Sequence, residues 1–246
     1  QEEIKDIVNY AAERFITVVP EIELPGHELA AISAYPYLSC KGDSITPRVI
    51  WGVEDIVMCA GKEEPFEFME DVFNEVVELF PSEYVHIGGD ECPKISWKNC
   101  PLCQKRIRQE GLKADAPHSA EEKLQSYFVQ RMEKVLAKHG KKIIGWDEIL
   151  EGGLAPTAAV MSWRGEEGGI AAASMDHEVI MTPGSEGMYL DQYQGDQKIE
   201  PVTIGGKATL EKVYSYNPTP DTLVKIGKDQ YIMGVQSNLW SEYMYN

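Results

Sequence analysis

The 246-residue chain carries 40 acidic and 23 basic side chains, a formal net charge of −17, which argues against nucleic acid or an anionic membrane as its main partner. With 43% hydrophobic and 26% charged residues it has the composition of a globular protein, long enough for one large domain or two small ones. No apolar run approaches the roughly 20 residues of a membrane span. Gln1 falls inside a predicted helix, so the chain is expected to be cut from something longer.

Taken in order, strands and helices alternate. Ile4, Ile7, Val8, Ala11, Ala12 and Phe15 predict a helix over 2–15. Phe15 to Ile22 is a β-rich run, left at Glu23-Leu24-Pro25-Gly26-His27. A long loop follows to Pro65, where Phe66, Met69, Val72, Phe73, Val76, Val77 and Phe80 repeat at helical spacing until Pro81 and Ser82. Tyr84-Val85-His86-Ile87 is a short apolar strand. Gly88 and Gly89 let the backbone turn there, and Asp90 and Glu91 end it. A Cys-containing loop leads to a helix from Ala120 to His139, closed by Gly140. Strands are predicted at 142–148 and 158–164, a short helix at 166–175, and a strand at 178–181 whose edge Met188 to Asp191 continues. A long loop, a helix at 221–227 and a last strand from Tyr231, ending Asn238-Leu239-Trp240-Ser241-Glu242, complete the chain. The alternation predicts a parallel sheet with right-handed crossovers.

Two adjacent carboxylates just past a buried strand sit where active sites of parallel α/β proteins are built. On an extended backbone neighbouring side chains point to opposite sides, so Asp90 and Glu91 are expected to face different environments and to differ in acidity. Five further strand ends carry acids, aromatics or both: His27, Trp146 with Asp147, Trp163 with Arg164, Tyr189 with Asp191, and Trp240 with Glu242. Each Trp alone reads as core. The repetition at successive strand ends reads instead as a carbohydrate pocket, because aromatic faces stack on sugar C–H faces and carboxylates accept from hydroxyls.

Five cysteines are few for a disulfide scaffold. Cys100-Pro-Leu-Cys103 has zinc-knuckle spacing that Cys92 or His118 could complete, but the usual partner CxxC pair is missing. Buried thiols, or one disulfide between Cys40 and Cys59, are the expectation. A metal hydrolase built on His86, Asp90 and Glu91 is the weaker reading, because no second histidine cluster is present. His86 reads better as a strand histidine satisfied by backbone.

His86-Ile87-Gly88-Gly89-Asp90-Glu91 resembles the H-x-G-G-D-E signature of glycoside hydrolase family 20, the β-N-acetylhexosaminidases. Pro25-Gly26-His27, Gly145-Trp146-Asp147-Glu148, Ser162-Trp163-Arg164-Gly165, Tyr189-Leu190-Asp191 and Asn238-Leu239-Trp240-Ser241-Glu242 fall in that family's order, so the resemblance covers the whole chain. It implies an α/β fold, a (β/α)8 TIM-barrel catalytic domain, with residues 1–246 forming a single partial barrel of about strands 3 to 8. It also implies retaining hydrolysis of terminal β-linked N-acetylhexosamine, in which the substrate's 2-acetamido oxygen closes to an oxazolinium intermediate. Glu91 then resembles the general acid and base, Asp90 the carboxylate that holds the acetamido N–H, and Tyr189 the hydroxyl that aligns the acetamido oxygen. Trp146 and Trp163 resemble pocket walls, Trp240 the platform under the sugar, Asp191 and Glu242 acceptors for its hydroxyls, and His27 a residue tuning the acid from behind. The partner implied is a glycan, with no metal, no cofactor and no nucleic acid. A secreted or periplasmic location is the family expectation. Family members carry two further βα units ahead of this region, with an arginine for the sugar hydroxyls and an aspartate for the histidine equivalent to His27. Neither is here, so the isolated segment is expected to have weak activity or none, and its two exposed sheet edges invite self-association. The alternative reading is an inactive sugar-binding or structural fragment of the same barrel.

Overall fold

The computed structural model describes residues 1–244, and the chain falls into two compact units, Gln1–Ala158 and Ala159–Asn246. In the first, helix α1 (Glu2–Ala12) precedes strand β1 (Glu21–Leu24), followed by α2 (Leu29–Ala34), α3 (Glu64–Leu79), β2 (Tyr84–Gly88), α4 (Ile95–Lys98), α5 (Pro101–Gln109), α6 (Ala120–Ala137) and β3 (Lys142–Trp146). β1 pairs with β2 and β2 with β3, both parallel, with His86 aligned to Glu21 on one side and Ile144 on the other. Helices cross between the strands, as parallel pairing requires.

The predicted helical stripes become the core. Phe66 of α3 stacks on Phe128 of α6 at 4.3 Å between ring centroids, and both are buried with Met69, Phe73, Leu124 and Met132. α6 begins in a capping box: Ser119 Oγ accepts from Glu122 N (3.2 Å) and Glu122 Oε2 accepts from Ser119 N (2.6 Å). Trp97 is fully buried, and its indole N–H donates to the Met58 carbonyl at 2.8 Å.

Three expectations shift. The strand foreseen from Phe15 begins only at Glu21, because Phe15 has a left-handed φ of 59° and sits wholly in solvent after α1 ends. The strand foreseen over 142–148 stops at Trp146 and coils into a 3-10 turn, Asp147–Leu150. The Cys-containing loop holds two helices, α4 and α5, whose buried positions, Trp97, Cys103 and Ile107, are too sparse to make a visible stripe.

In the second unit β4 (Ala159–Ser162), α7 (Glu167–Ser174), β5 (Val179–Met181), α8 (Leu210–Ser215), α9 (Asp221–Ile226) and β6 (Ile232–Val235) again alternate. β4 pairs with β5 and β5 with β6, all parallel. Every residue of β4 is buried, as in a strand covered on both faces. Ser162 Oγ turns the chain into α7, donating to the Gly165 carbonyl (2.7 Å) and accepting from Gly169 N (2.9 Å). The segment 188–191 does not extend β5. Tyr189 forms a single parallel bridge with Asn238, fixed by Leu190 N to Asn238 O (2.8 Å) and Asn238 N to Met188 O (2.7 Å). Strand–helix alternation and uniformly parallel pairing make both units α/β. No helix among the described residues is long and apolar enough to cross a membrane.

Candidate active site

The carboxyl end of β2 is where the first unit concentrates its charge. Gly88 (φ 63°), Gly89 (φ 92°) and Glu91 (φ 43°) all take positive φ, so the backbone is not extended here. The expectation that Asp90 and Glu91 point apart therefore fails. Both carboxylates turn to one imidazole nitrogen: His27 Nε2 is 3.4 Å from Asp90 Oδ2 and 3.2 Å from Glu91 Oε2. Their surroundings do differ, with the Asp90 side chain 18% exposed and that of Glu91 39%. His27 itself has a φ of 52°. Its hydrogen bond to Asp90, opposed in part by burial and helped by the charges of Asp90 and Glu91, raises its pKa.

β1 supplies two acids that sequence reasoning missed. Glu23 Oε1 accepts from Gly89 N at 2.8 Å. Burial, then the Asp90 charge, pushes the Glu23 carboxyl well above the usual range. A Cβ at Gly88 would collide with the Glu23 carboxylate, so glycine is what allows this approach. Glu21 Oε1 accepts the Trp146 indole N–H at 2.9 Å, and burial raises its pKa too. The signal was present: acids at alternate positions of a short strand share one side, which is unusual where the strand is flanked by core.

His86 is buried. Its Nδ1 accepts from Gly88 N at 3.0 Å and lies 3.3 Å from Glu21 Oε1. Burial lowers its pKa to about 4, so near neutrality it is an uncharged ring, and the Glu21 contact is not an ion pair. A metal set of His86, Asp90 and Glu91 does not form, because the histidine that meets both acids is His27. Trp146 packs against His86, with centroids 4.8 Å apart, and is 3% exposed. Two polar atoms stay unmatched: His86 Nε2 and the acceptor Asp90 Oδ1 are buried with no hydrogen-bond partner in the structure.

The second unit gathers the aromatic candidates. Trp163 and Tyr189 lie nearly parallel at 6.3 Å and 17°, and Tyr189 meets Trp240 edge-on at 6.4 Å. Asp191 accepts backbone N–H bonds, one of them from Trp240; burial raises its pKa and the Glu242 charge adds to the rise. Its Oδ1 is a second buried acceptor with no partner. Asp191 and Trp240 line a cavity of about 340 Å³. Glu242 is exposed. All five cysteines are free thiols and four are buried, so of the two expected arrangements the thiols are found and the Cys40–Cys59 disulfide is not.

Carboxylates and aromatic rings at the carboxyl ends of parallel strands stand where α/β-barrel enzymes build their active sites. The family model for the glycosyl hydrolase family 20 catalytic domain matches residues 1–246, and the chain belongs to that family. A β-hexosaminidase of Porphyromonas gingivalis is 62% identical over 245 residues, 100% of this chain and 31% of that protein. One from Vibrio furnissii is 36% identical over 249 residues, 100% of this chain and 40% of that protein. The solved exo-β-N-acetylglucosaminidase of Vibrio harveyi, in complex with N-acetylglucosamine, matches with a TM-score of 0.83 at 33% identity, covering 100% of this chain and 38% of that one. The fold is thus an α/β barrel, represented in part, and the chain spans well under half the length of these relatives.

Proposed function

We propose that the protein to which this segment belongs removes terminal β-linked N-acetylhexosamine from glycans with retention of configuration, using the substrate's own acetamido group as nucleophile. The observation that carries this reading is the unmatched, buried Asp90 Oδ1 beside a carboxyl that shares its imidazole. A buried acceptor left open is costly unless a donor arrives, and an amide N–H is such a donor.

In this reading Asp90 accepts the acetamido N–H and steadies the positive charge that develops as the ring closes. The acetamido oxygen attacks the anomeric carbon while the bond to the leaving oxygen breaks, and that oxygen takes a proton from Glu91. Water then attacks the anomeric carbon, giving a proton back to Glu91, and the acetamide is restored. Tyr189 aligns the acetamido oxygen, and Trp146 and Trp163 confine the acetamido group. Trp240 carries the sugar face, and Asp191 and Glu242 accept its hydroxyls. His27 is a positioning residue that holds the two acids together. Asp191 suits its part because its buried Oδ1, like that of Asp90, lacks a donor.

The full-length protein tests this on matched aryl glycosides. Release from the 2-acetamido sugar is expected, with little from the plain β-glucoside; equal rates on both would refute the mechanism. Glu91→Gln is expected to lower kcat by about 10²–10⁴-fold on substrates with poor leaving groups. Asp90→Asn is expected to slow the first chemical step, and a thiazoline mimic of the cyclic intermediate to inhibit competitively.

A further inference from the structure

We propose that Cys40, Cys59, Cys100 and Cys103 form a structural zinc site that ties the segment following β1 to the segment following β2. The four sulfurs lie within 4.8 Å of one another. The closest pairs are Cys59–Cys103 at 3.7 Å, Cys40–Cys103 at 3.8 Å and Cys59–Cys100 at 4.0 Å. A tetrahedral zinc with Zn–S bonds of about 2.3 Å sets its sulfurs about 3.8 Å apart. Three of the six edges already have that length, and the other three are no longer than 4.8 Å, so small side-chain rotations close the site. That spacing serves one ion held by four soft ligands, the set that favours zinc.

The surroundings are those of a built site. Cys59, Cys100 and Cys103 are buried and Cys40 is half-buried. Cys100 and Cys103 open α5 as a knuckle, with Pro101 at its first position. The missing second pair comes from Cys40 and Cys59, too far apart in sequence to read as a motif. Gly61 N–H is bonded to the Cys59 sulfur, a backbone contact of the kind that orients metal ligands. Gly61 also packs so tightly on the backbone of Leu102 and Cys103 that no Cβ fits there. The loops that carry the thiols are tied down from the side: Lys62 Nζ donates to the carbonyls of Tyr37 (3.0 Å) and Ser39 (2.6 Å), and Arg106, ion-paired with Glu63, also reaches Gly61 O at 3.5 Å. A cavity of about 580 Å³, lined in part by Cys40 and Cys100, offers an entry path.

The inference is independent of the hydrolytic reading, since its readouts are metal content and spectrum. Elemental analysis of the purified full-length protein is expected to find zinc that a thiol-blocking mercurial releases. Cobalt exchanged into the protein is expected to show thiolate charge-transfer and tetrahedral ligand-field bands. Cys103→Ser and Cys59→Ser are expected to lose one zinc per chain and those bands, and Cys92→Ser to keep both. Metal-free protein that takes up no cobalt in thiolate coordination overturns the site, as does finding these four sulfurs joined in disulfides. Where a cysteine variant does not fold, the wild-type zinc content and cobalt spectrum still decide.

Discussion

At the mouth of the first unit one imidazole nitrogen serves two carboxylates, His27 Nε2 standing 3.4 Å from Asp90 and 3.2 Å from Glu91. The raised His27 pKa means the fold holds that proton more tightly than the unfolded chain, whose reference value is 6.5. Its stabilisation is present below 6.5 and is lost as pH rises through the raised value. Glu23 acts in the same sense from a lower start. Above its reference value of 4.5 the unfolded chain releases a proton that the fold retains, so stability falls as pH rises. Glu23→Gln keeps an acceptor for Gly89 N–H without the proton. Thermal melts across pH are expected to show a flatter decline above 4.5 for this variant than for the parent. Gly88→Ala is the harsher change: a left-handed alanine costs roughly 1–2 kcal/mol, and its Cβ would also displace the Glu23 carboxylate. Denaturant unfolding is expected to register at least that loss. The carboxylate pair was legible as a string of letters, since the spacing His86-Ile87-Gly88-Gly89-Asp90-Glu91 needs no coordinates. Its geometry was not, because alternation applies only to extended backbone and four residues at the site, His27, Gly88, Gly89 and Glu91, leave that region.

Elements whose buried face is a dense apolar stripe were readable almost to the residue: α3 was foreseen from Pro65 and runs Glu64–Leu79, and α6 was foreseen from Ala120 and starts there. Both bury that stripe in the pair Phe66 and Phe128. Phe128→Ala is expected to destabilise the protein by about 3–5 kcal/mol, as large-to-small changes of buried aromatics do. Ser119→Ala, which removes one half of the capping box, is expected to cost about 1 kcal/mol. Elements held by tertiary contact left no such trace. β1 is a four-residue strand bearing two acids, and α5 has only Cys103 and Ile107 buried. The apolar run before β1 misled because an exposed Phe15 ends α1 rather than beginning a strand. Likewise the four cysteines come from segments that no short pattern unites.

For the molecule as a whole, the family assignment was within reach of the sequence because the quoted motifs span all of it, and the match over residues 1–246 agrees. The division into Gln1–Ala158 and Ala159–Asn246 was not, since no linker or shift of composition marks residue 158. Forty acids against 23 bases leave a net charge of −17, whose self-repulsion opposes compactness. Added sodium chloride is expected to raise the melting temperature up to roughly 0.15 M, where charges more than about 8 Å apart are largely screened; a melting point that falls over that range would contradict this. The same field discriminates among visitors. A neutral sugar gains nothing from it, while a sugar mimic bearing an ammonium is drawn toward the mouth where Asp90 and Glu91 meet His27. As that imidazole gives up its proton the attraction grows, so an inhibitor with a permanent positive charge tightens its grip as the pH rises, the same direction that loosens the fold.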